Sequence, residues 1–421
     1  MRVFEAFQEA DYRRFWVSQF FSNVGSWMQT VAQGFLVYRL TGSAFLLGFV
    51  GFANAVPSFF LMLWGGVLAD RLDRRRVVSI SQWAQALAAL ALAVSIRTGH
   101  LGVWQIVAAS IVTGIAISFS APAWQAMVLD LLDDRTRLAN AVAMNSLQFQ
   151  LSRAIGPLLA GLTLAAFGSF WCFFFNALSF LPLIWILGRI KPRQQRTTEG
   201  GALWERLRAG FVYVRSDRMI LLALGVAAVA SAFGFPYLNL MPIVARNLFH
   251  ANEASGLGYL MGAVGVGALI GSLVLSVRTP PQRTMLPTIV ITLGLFGASL
   301  AGVGYLHWRG AVMGMLVVCG ASMVTCLALC NTSIQQRVPD TMRGRVLSMY
   351  TFSFYAFLPF GNLASGMLAE HRGIGLTLLI LGGALVLSSA AAAIAVNRRK
   401  RRRTLLGDAA QIEIVDTELV D

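Results

Sequence analysis

The chain has 421 residues, of which 57% are hydrophobic and only 13% charged, against about 25% charged in a soluble domain; that balance excludes an ordinary soluble enzyme or binding module and indicates a polytopic membrane protein. The formal net charge of +15 then means attraction to anionic lipid on one membrane face and not to nucleic acid. Four cysteines, Cys172, Cys319, Cys326 and Cys330, all lie in apolar runs and read as small buried hydrophobes, not a disulfide framework.

In chain order, residues 1–14 are polar, and the first apolar run, 15–37, is too long for a cleavable signal and lacks a small-residue cleavage site, so it is expected to stay as a span. Further runs of roughly 20 residues or more follow at 44–68, 77–96, 103–122, 139–167 and 170–187, then at 219–244, 255–277, 286–306, 311–331, 346–368 and 374–396. The expected fold is an all-α membrane protein with twelve transmembrane helices in two six-helix bundles, 1–188 and 219–397. Between them, 189–218 is basic and turns amphipathic near 203–214, as a cytoplasmic linker with a helix on the membrane face. The tail, 398–421, ends acidic and is expected to be disordered.

Arginine and lysine set the orientation. With both termini inside, 28 of the 34 fall in cytoplasmic segments, five outside, and one, Arg153, within a span. Such asymmetry fits an even number of spans with both ends in the cytoplasm. An internal repeat agrees with the division: Gly51 and Gly256, Met144 and Met349, Gly156 and Gly361, and Gly161 and Gly366 are each 205 apart, as in two halves of like orientation.

The stretch 65–76, GGVLADRLDRRR, is a tight hairpin between two spans. Its glycines let helix backbones approach closely, Asp70 puts a carboxylate at the membrane edge, and Arg71, Arg74, Arg75 and Arg76 belong on the cytoplasmic side. Glycine, acid and arginines in this order resemble the signature loop of the major facilitator superfamily, with Asp73 where that pattern has glycine. Residues 122–161, from PAWQ to LLAG, are similar to the branch containing the enterobactin exporter and the macrolide and multidrug efflux proteins. The resemblance implies a multi-pass, alternating-access transporter of the bacterial inner (plasma) membrane, working as a monomer on a small-molecule substrate, with protons as coupling partner. It implies a cytoplasmic gate of Gly66, Asp70, Arg71, Arg74, Arg75, Asp130, Asp134 and Arg345, in which Asp70 meets the N-terminal end of the eleventh span and Arg74 or Arg75 reaches Asp130 or Asp134. Gly156, Pro157 and Gly161 resemble the glycine–proline motif of superfamily antiporters, which favours export over uptake. The family's arginine motif of the fourth helix is not visible in 103–122.

Polar groups in apolar spans supply the remaining candidates. Arg153 stands 14 residues into the fifth span, roughly 21 Å along it. An arginine there is costly unless it faces a cavity or finds partners; it either serves substrate or coupling, or is a strut held by carbonyls and neighbouring amides. Gln29, Gln33, Asn54, Asn145, Gln148, Gln150, Asn239, Asn331 and Asn362 are candidates for substrate contact, or interhelical glue worth about 0.6 kcal/mol each. Trp27, Trp124, Tyr237, Phe352 and Tyr355 offer either a deformable apolar wall or ordinary helix packing. No Asp or Glu falls at the centre of a span, so proton coupling is implied by the resemblance and not by chemistry. The four histidines all fall in outward loops, as solvated residues. Cys326 and Cys330 share a helix face, but a metal site needs more ligands, so no metal or cofactor is expected. No phosphate-binding glycine loop is present, so ATP hydrolysis is not expected and the chain is not read as an enzyme. Export of amphipathic siderophore-like or drug-like molecules stands against two alternatives, import of a small nutrient or metabolite and a non-transporting receptor on the same fold.

Overall fold

The computed structural model describes residues 5–132, 134, 137–190, 212–215, 217–278 and 280–418; side chains at 63, 65–71, 129, 139, 283, 340, 341, 343–345 and 397–418 lie outside the described set. The linker helix expected at 203–214 falls almost wholly outside it. The described residues fold into helices without strands.

The helices are α1 (Ala10–Thr41), α2 (Ala44–Arg71), α3 (Arg74–Arg97), α4 (Val103–Asp130), α5 (Leu138–Ala166) and α6 (Ser169–Arg189), then α7 (Arg218–Val229), α8 (Tyr237–Phe249), α9 (Glu253–Val277), α10 (Gln282–Tyr305), α11 (Arg309–Arg337), α12 (Asp340–Arg372) and α13 (Ile374–Glu418). Their ends follow from local chemistry. Gly42, at φ 66°, closes α1 by giving its N–H to the Tyr38 carbonyl at 2.8 Å, a left-handed conformation that costs glycine little. Asp73 caps α3, its carboxylate accepting from Arg75 N at 3.0 Å. Between α7 and α8, Pro236 has no N–H for the ladder and its ring needs room, so the chain widens into a π turn, Ala230–Gly234, where Phe235 N–H reaches Ala230 O at 3.0 Å. The backbone of α13 continues helical to Glu418, through the tail expected to be disordered; its Arg, Lys, Leu, Ala and Gln residues are good helix formers.

Among the described residues, nine stretches are long and apolar enough to cross a membrane, one of them, Arg218–Val277, taking in α7 to α9. Neither α1 nor α12 is among the nine. Both spend polar side chains inward, with Ser18, Gln19, Ser22 and Gln29 buried on α1 and Asn362 and Ser365 on α12, which lowers their mean hydropathy while keeping these groups away from lipid. The exterior is the reverse: Trp64, Phe167, Val277, Trp308 and Leu387 are 65% to 82% exposed, a surface suited to hydrocarbon and ruinous in water.

Helices α1 to α6 pack together, with α1 against α5 and α6, α2 against α4, and α3 against α4 and α6. In the second set α9 packs on α11, α10 on α11 and α13, and α12 on α7. The repeat is visible in these contacts. A methyl built on Gly156 would meet Trp27 Cβ at 2.5 Å and one on Gly361 would meet Ala232 Cα at 3.0 Å; 361 − 156 and 232 − 27 are both 205, so each half uses the same glycine to seat the same pair of helices.

The two sets meet along two seams, α2 with α12 and α5 with α9. The end bearing Arg74, Arg75 and Arg76 is called here the basic end, and the opposite one, with the turns at Gly42 and Gly373, the far end. At the far end each seam closes through a pair of glycines. A methyl on Gly161 would stand 2.5 Å from Gly258 Cα, and one on Gly48 2.8 Å from Gly366 Cα, so glycine there allows backbone contact and the far end is shut.

Candidate functional site

Arg153 on α5 is buried, at 6% exposure. Its guanidinium lies 5.7 Å from the Trp27 ring centroid on α1 and 5.9 Å from that of Phe235, and Nη2 donates to Met323 Sδ on α11 at 3.5 Å. None of the ion pairs among the described residues includes it. Two ring faces contribute about 0.5–2 kcal/mol each, and a thioether is a weak acceptor, so the charge is held without being neutralised. Its neighbour Ala154 packs against Gly265 of α9. Arg153 therefore reaches from the first set of helices into the second, beside the close Ala154–Gly265 contact.

Gln150, three residues earlier and so on the same helix face, donates through Nε2 to Ser272 Oγ of α9 at 3.2 Å while its buried Oε1 has no partner; Gln148 Oε1 is likewise buried without one. The face of α5 turned to the second half thus carries a buried cation and, at Gln150 Oε1, an acceptor with no partner among the described residues. Along the other seam Phe59 lies 6.1 Å from Phe352 and 5.9 Å from Phe360 between ring centroids, giving an apolar, deformable wall.

The other neutral candidates are engaged in structure. Gln29 Oε1 accepts from Asn176 Nδ2 at 2.6 Å, Gln33 Nε2 donates to Ser110 Oγ at 2.8 Å, and Asn54 Nδ2 donates to Ser110 O at 3.3 Å. Asn145 Oδ1 accepts from Tyr12 Oη at 3.0 Å, and Gln148 Nε2 donates to Trp16 O at 2.5 Å. Asn239 Nδ2 donates to Asn362 Oδ1 at 3.0 Å, and both sit against Gly51 of α2. Asn331 Oδ1 accepts from Gln335 Nε2 within α11.

At the basic end Arg74 Nη1 pairs with Asp130 Oδ2 at 2.8 Å, the side chains only 9% and 7% exposed. Arg75 turns elsewhere, to Asp73 at 3.0 Å and to the Ile190 carbonyl at 2.7 Å. Asp134 lies 3.6 Å from Arg137, which also pairs with Glu9 at 2.8 Å. The two buried-edge carboxylates shift in opposite directions. Burial pushes Asp130 up, and the Arg74 hydrogen bond and charge do not fully offset it. Burial also acts to raise Asp73, but hydrogen bonds from Arg75 and the charges of Arg75 and Arg76 outweigh it and hold the carboxyl below its usual value. The side chains of Gly66, Asp70, Arg71 and Arg345 lie outside the described residues.

The glycine–proline segment divides its work. Gly156 seats α5 on α1, whereas Gly161 and the Pro157 carbonyl face Gly258 across the seam. Residues that sequence reasoning passed over include Asn176, Phe235 and Met323. Asn176 carries the same signal as the other amides, a polar group in an apolar span, whereas Phe235 and Met323 carry none and are selected only by the packing of distant segments.

Parallel halves of membrane helices, shut at one end over buried polar groups, define a transporter of the major facilitator superfamily and not an enzyme. Within it the chain belongs to the family described as transmembrane secretion effector, which matches residues 2–410. It is 24% identical to the staphyloferrin A transporter of Staphylococcus aureus, over 87% of this chain and 92% of the relative. It is 25% identical to the multidrug efflux pump Tap of Mycolicibacterium fortuitum, over 86% and 89%, and 26% identical to the enterobactin exporter EntS of Shigella boydii, over 81% and 80%. Among solved structures, the nucleoside transporter NupG superposes with a TM-score of 0.68 at 15% identity, covering 91% of this chain and 98% of that one. A bacterial homologue of the human lysosomal transporter Spinster, inward-facing and unoccupied, gives 0.71 at 13%, covering 93% and 97%. These two likenesses are of fold.

Proposed function

We propose that the protein is a secondary active transporter of the bacterial inner membrane that exports amphipathic small molecules, siderophore-like or drug-like, by alternating access in antiport with protons. The basic end faces the cytoplasm, as the distribution of arginine and lysine favours, and the chain works as a monomer. The observation that carries the reading is Arg153: a buried cation between the halves, flanked by two rings and a thioether, with no carboxylate paired to it among the described residues. It suits a ligand that brings its own negative charge and apolar surface. The names of the siderophore and multidrug relatives, and the glycine–proline segment on α5, favour the outward direction.

Expression in an efflux-deficient bacterial host tests this. Lower cell accumulation of a catecholate siderophore or a lipophilic dye, restored to the host level by a protonophore, is the expected result. Raised accumulation would instead mark an importer, and no change with well-inserted protein would mark a non-transporting membrane receptor.

A further inference from the structure

At the far end one carboxylate crosses from the second half to the first. Glu370, in the last turn of α12, accepts through Oε2 from Ala44 N at 2.6 Å, from Phe45 N at 3.0 Å and from Ser43 Oγ at 3.2 Å. Those are the first two N–H groups of α2 and the hydroxyl of its N-cap. The first N–H groups of a helix have no partners within it, and the end carries partial positive charge, so a carboxylate is the group that satisfies both. Ser43 serves α2 locally as well, its Oγ accepting from Leu46 N at 3.2 Å. The helix thus keeps one cap of its own and borrows a second from the opposite half. Among the described residues Glu370 makes no ion pair with an arginine or lysine, so its charge is directed at the helix end.

One helical turn inward, Gly48 and Gly366 bring the same two helices into backbone contact, which sets the distance that the carboxylate spans. We infer that Glu370 is a latch: it caps α2 across the seam, and so stabilises the state in which the far end is shut. Parting the halves exposes Ala44 N and Phe45 N to water and leaves only Ser43 as cap. The last turns of α5 and the residues after it, 160–168, contain no carboxylate, so among the described residues the other seam has no counterpart. The latch is a positioning device that sets the balance of states without touching substrate.

The inference rests on the alternating-access reading, and the test separates the two. Spin labels on Leu40→Cys and Leu376→Cys, exposed on α1 and α13 at the far end, report the separation of the halves in the full-length protein in lipid nanodiscs. The four native cysteines are buried and need not be removed. Glu370→Ala is expected to raise the ratio of long to short distances roughly tenfold, the scale of losing charge-assisted hydrogen bonds. Glu370→Gln, which can still accept but has no charge, should fall between Glu370→Ala and the parent. Gly258→Leu wedges the other seam and is the reference for an open far end. If Gly258→Leu lengthens the distance and Glu370→Ala does not, the latch is wrong. If neither does, alternating opening of this end is wrong and the latch falls with it.

Discussion

Gly161 on α5 and Gly258 on α9 face each other backbone to backbone, so that a methyl on Gly258 would stand 2.6 Å from Gly161 Cα. Neither helix can yield without parting the seam, because both continue into packed neighbours. Gly258→Leu is therefore expected to insert normally but to lose most transport, with the far end held open. Gly314 on α11 is the control, since nothing lies within 4 Å of a methyl placed there. Gly314→Ala should leave transport unchanged and raise thermal stability by up to about 1 kcal/mol, through helix propensity alone. Equal effects of the two substitutions on transport in proteoliposomes would contradict this use of the seam.

The Arg74–Asp130 pair is short and nearly dry, yet Asp130 is pushed up and not down. At Asp130, burial outweighs the hydrogen bond and charge of Arg74, as is usual in buried ion pairs. Asp130→Leu alone should cost up to about 3–5 kcal/mol of stability by removing one buried carboxylate partner of Arg74. Arg74→Met combined with Asp130→Leu should recover most of that. Unfolding of the purified variants in detergent micelles measures both, and a double variant as unstable as the single one would mean that the pair itself holds α3 to α4.

Two carboxylates at the same end should titrate with opposite sign. Asp73 is held below the ordinary value, so its contribution is present above the unfolded value of about 3.9 and is lost as pH falls through the lower folded one. Asp130 is raised, so its contribution is complete below the unfolded value and is lost as pH rises through the folded one. Asp130→Asn should flatten the loss of thermal stability on moving upward from about pH 4, and Asp73→Asn should reduce the loss on acidification below it. A shared sign for the two variants would contradict the assignment.

Much of the architecture was legible in the chain because bilayer thickness and charge asymmetry act on local composition: the apolar runs, the basic hairpin and the 205-residue repeat need no knowledge of packing. Arg74 and Asp130 were legible as one of several pairings, since both lie beside the same hairpin. The partners of Arg153 were not. Trp27, Phe235 and Met323 come from α1, the connection between α7 and α8, and α11, and each apolar segment offers many similar side chains whose placement only tertiary packing decides. The role of Glu370 was not legible, because its partners are two backbone N–H groups and a serine hydroxyl more than 300 positions away, which no local pattern announces. The neutral amides were visible as candidates, but most prove to be spent on other helices.

Arg153 is where the functional reading stands or falls. Arg153→Gln keeps polarity and removes the charge, and Arg153→Lys keeps charge but loses the planar fork that stacks on rings. The measurement is efflux of a catecholate siderophore from proteoliposomes under an imposed proton gradient, scaled to the folded protein that each variant contributes. Export through a charged site predicts at least a tenfold loss for Arg153→Gln and partial retention for Arg153→Lys, with both variants inserted and folded. A folded, stable Arg153→Gln protein that exports at the parent rate would contradict it, and would reduce Arg153 to a strut between the two halves.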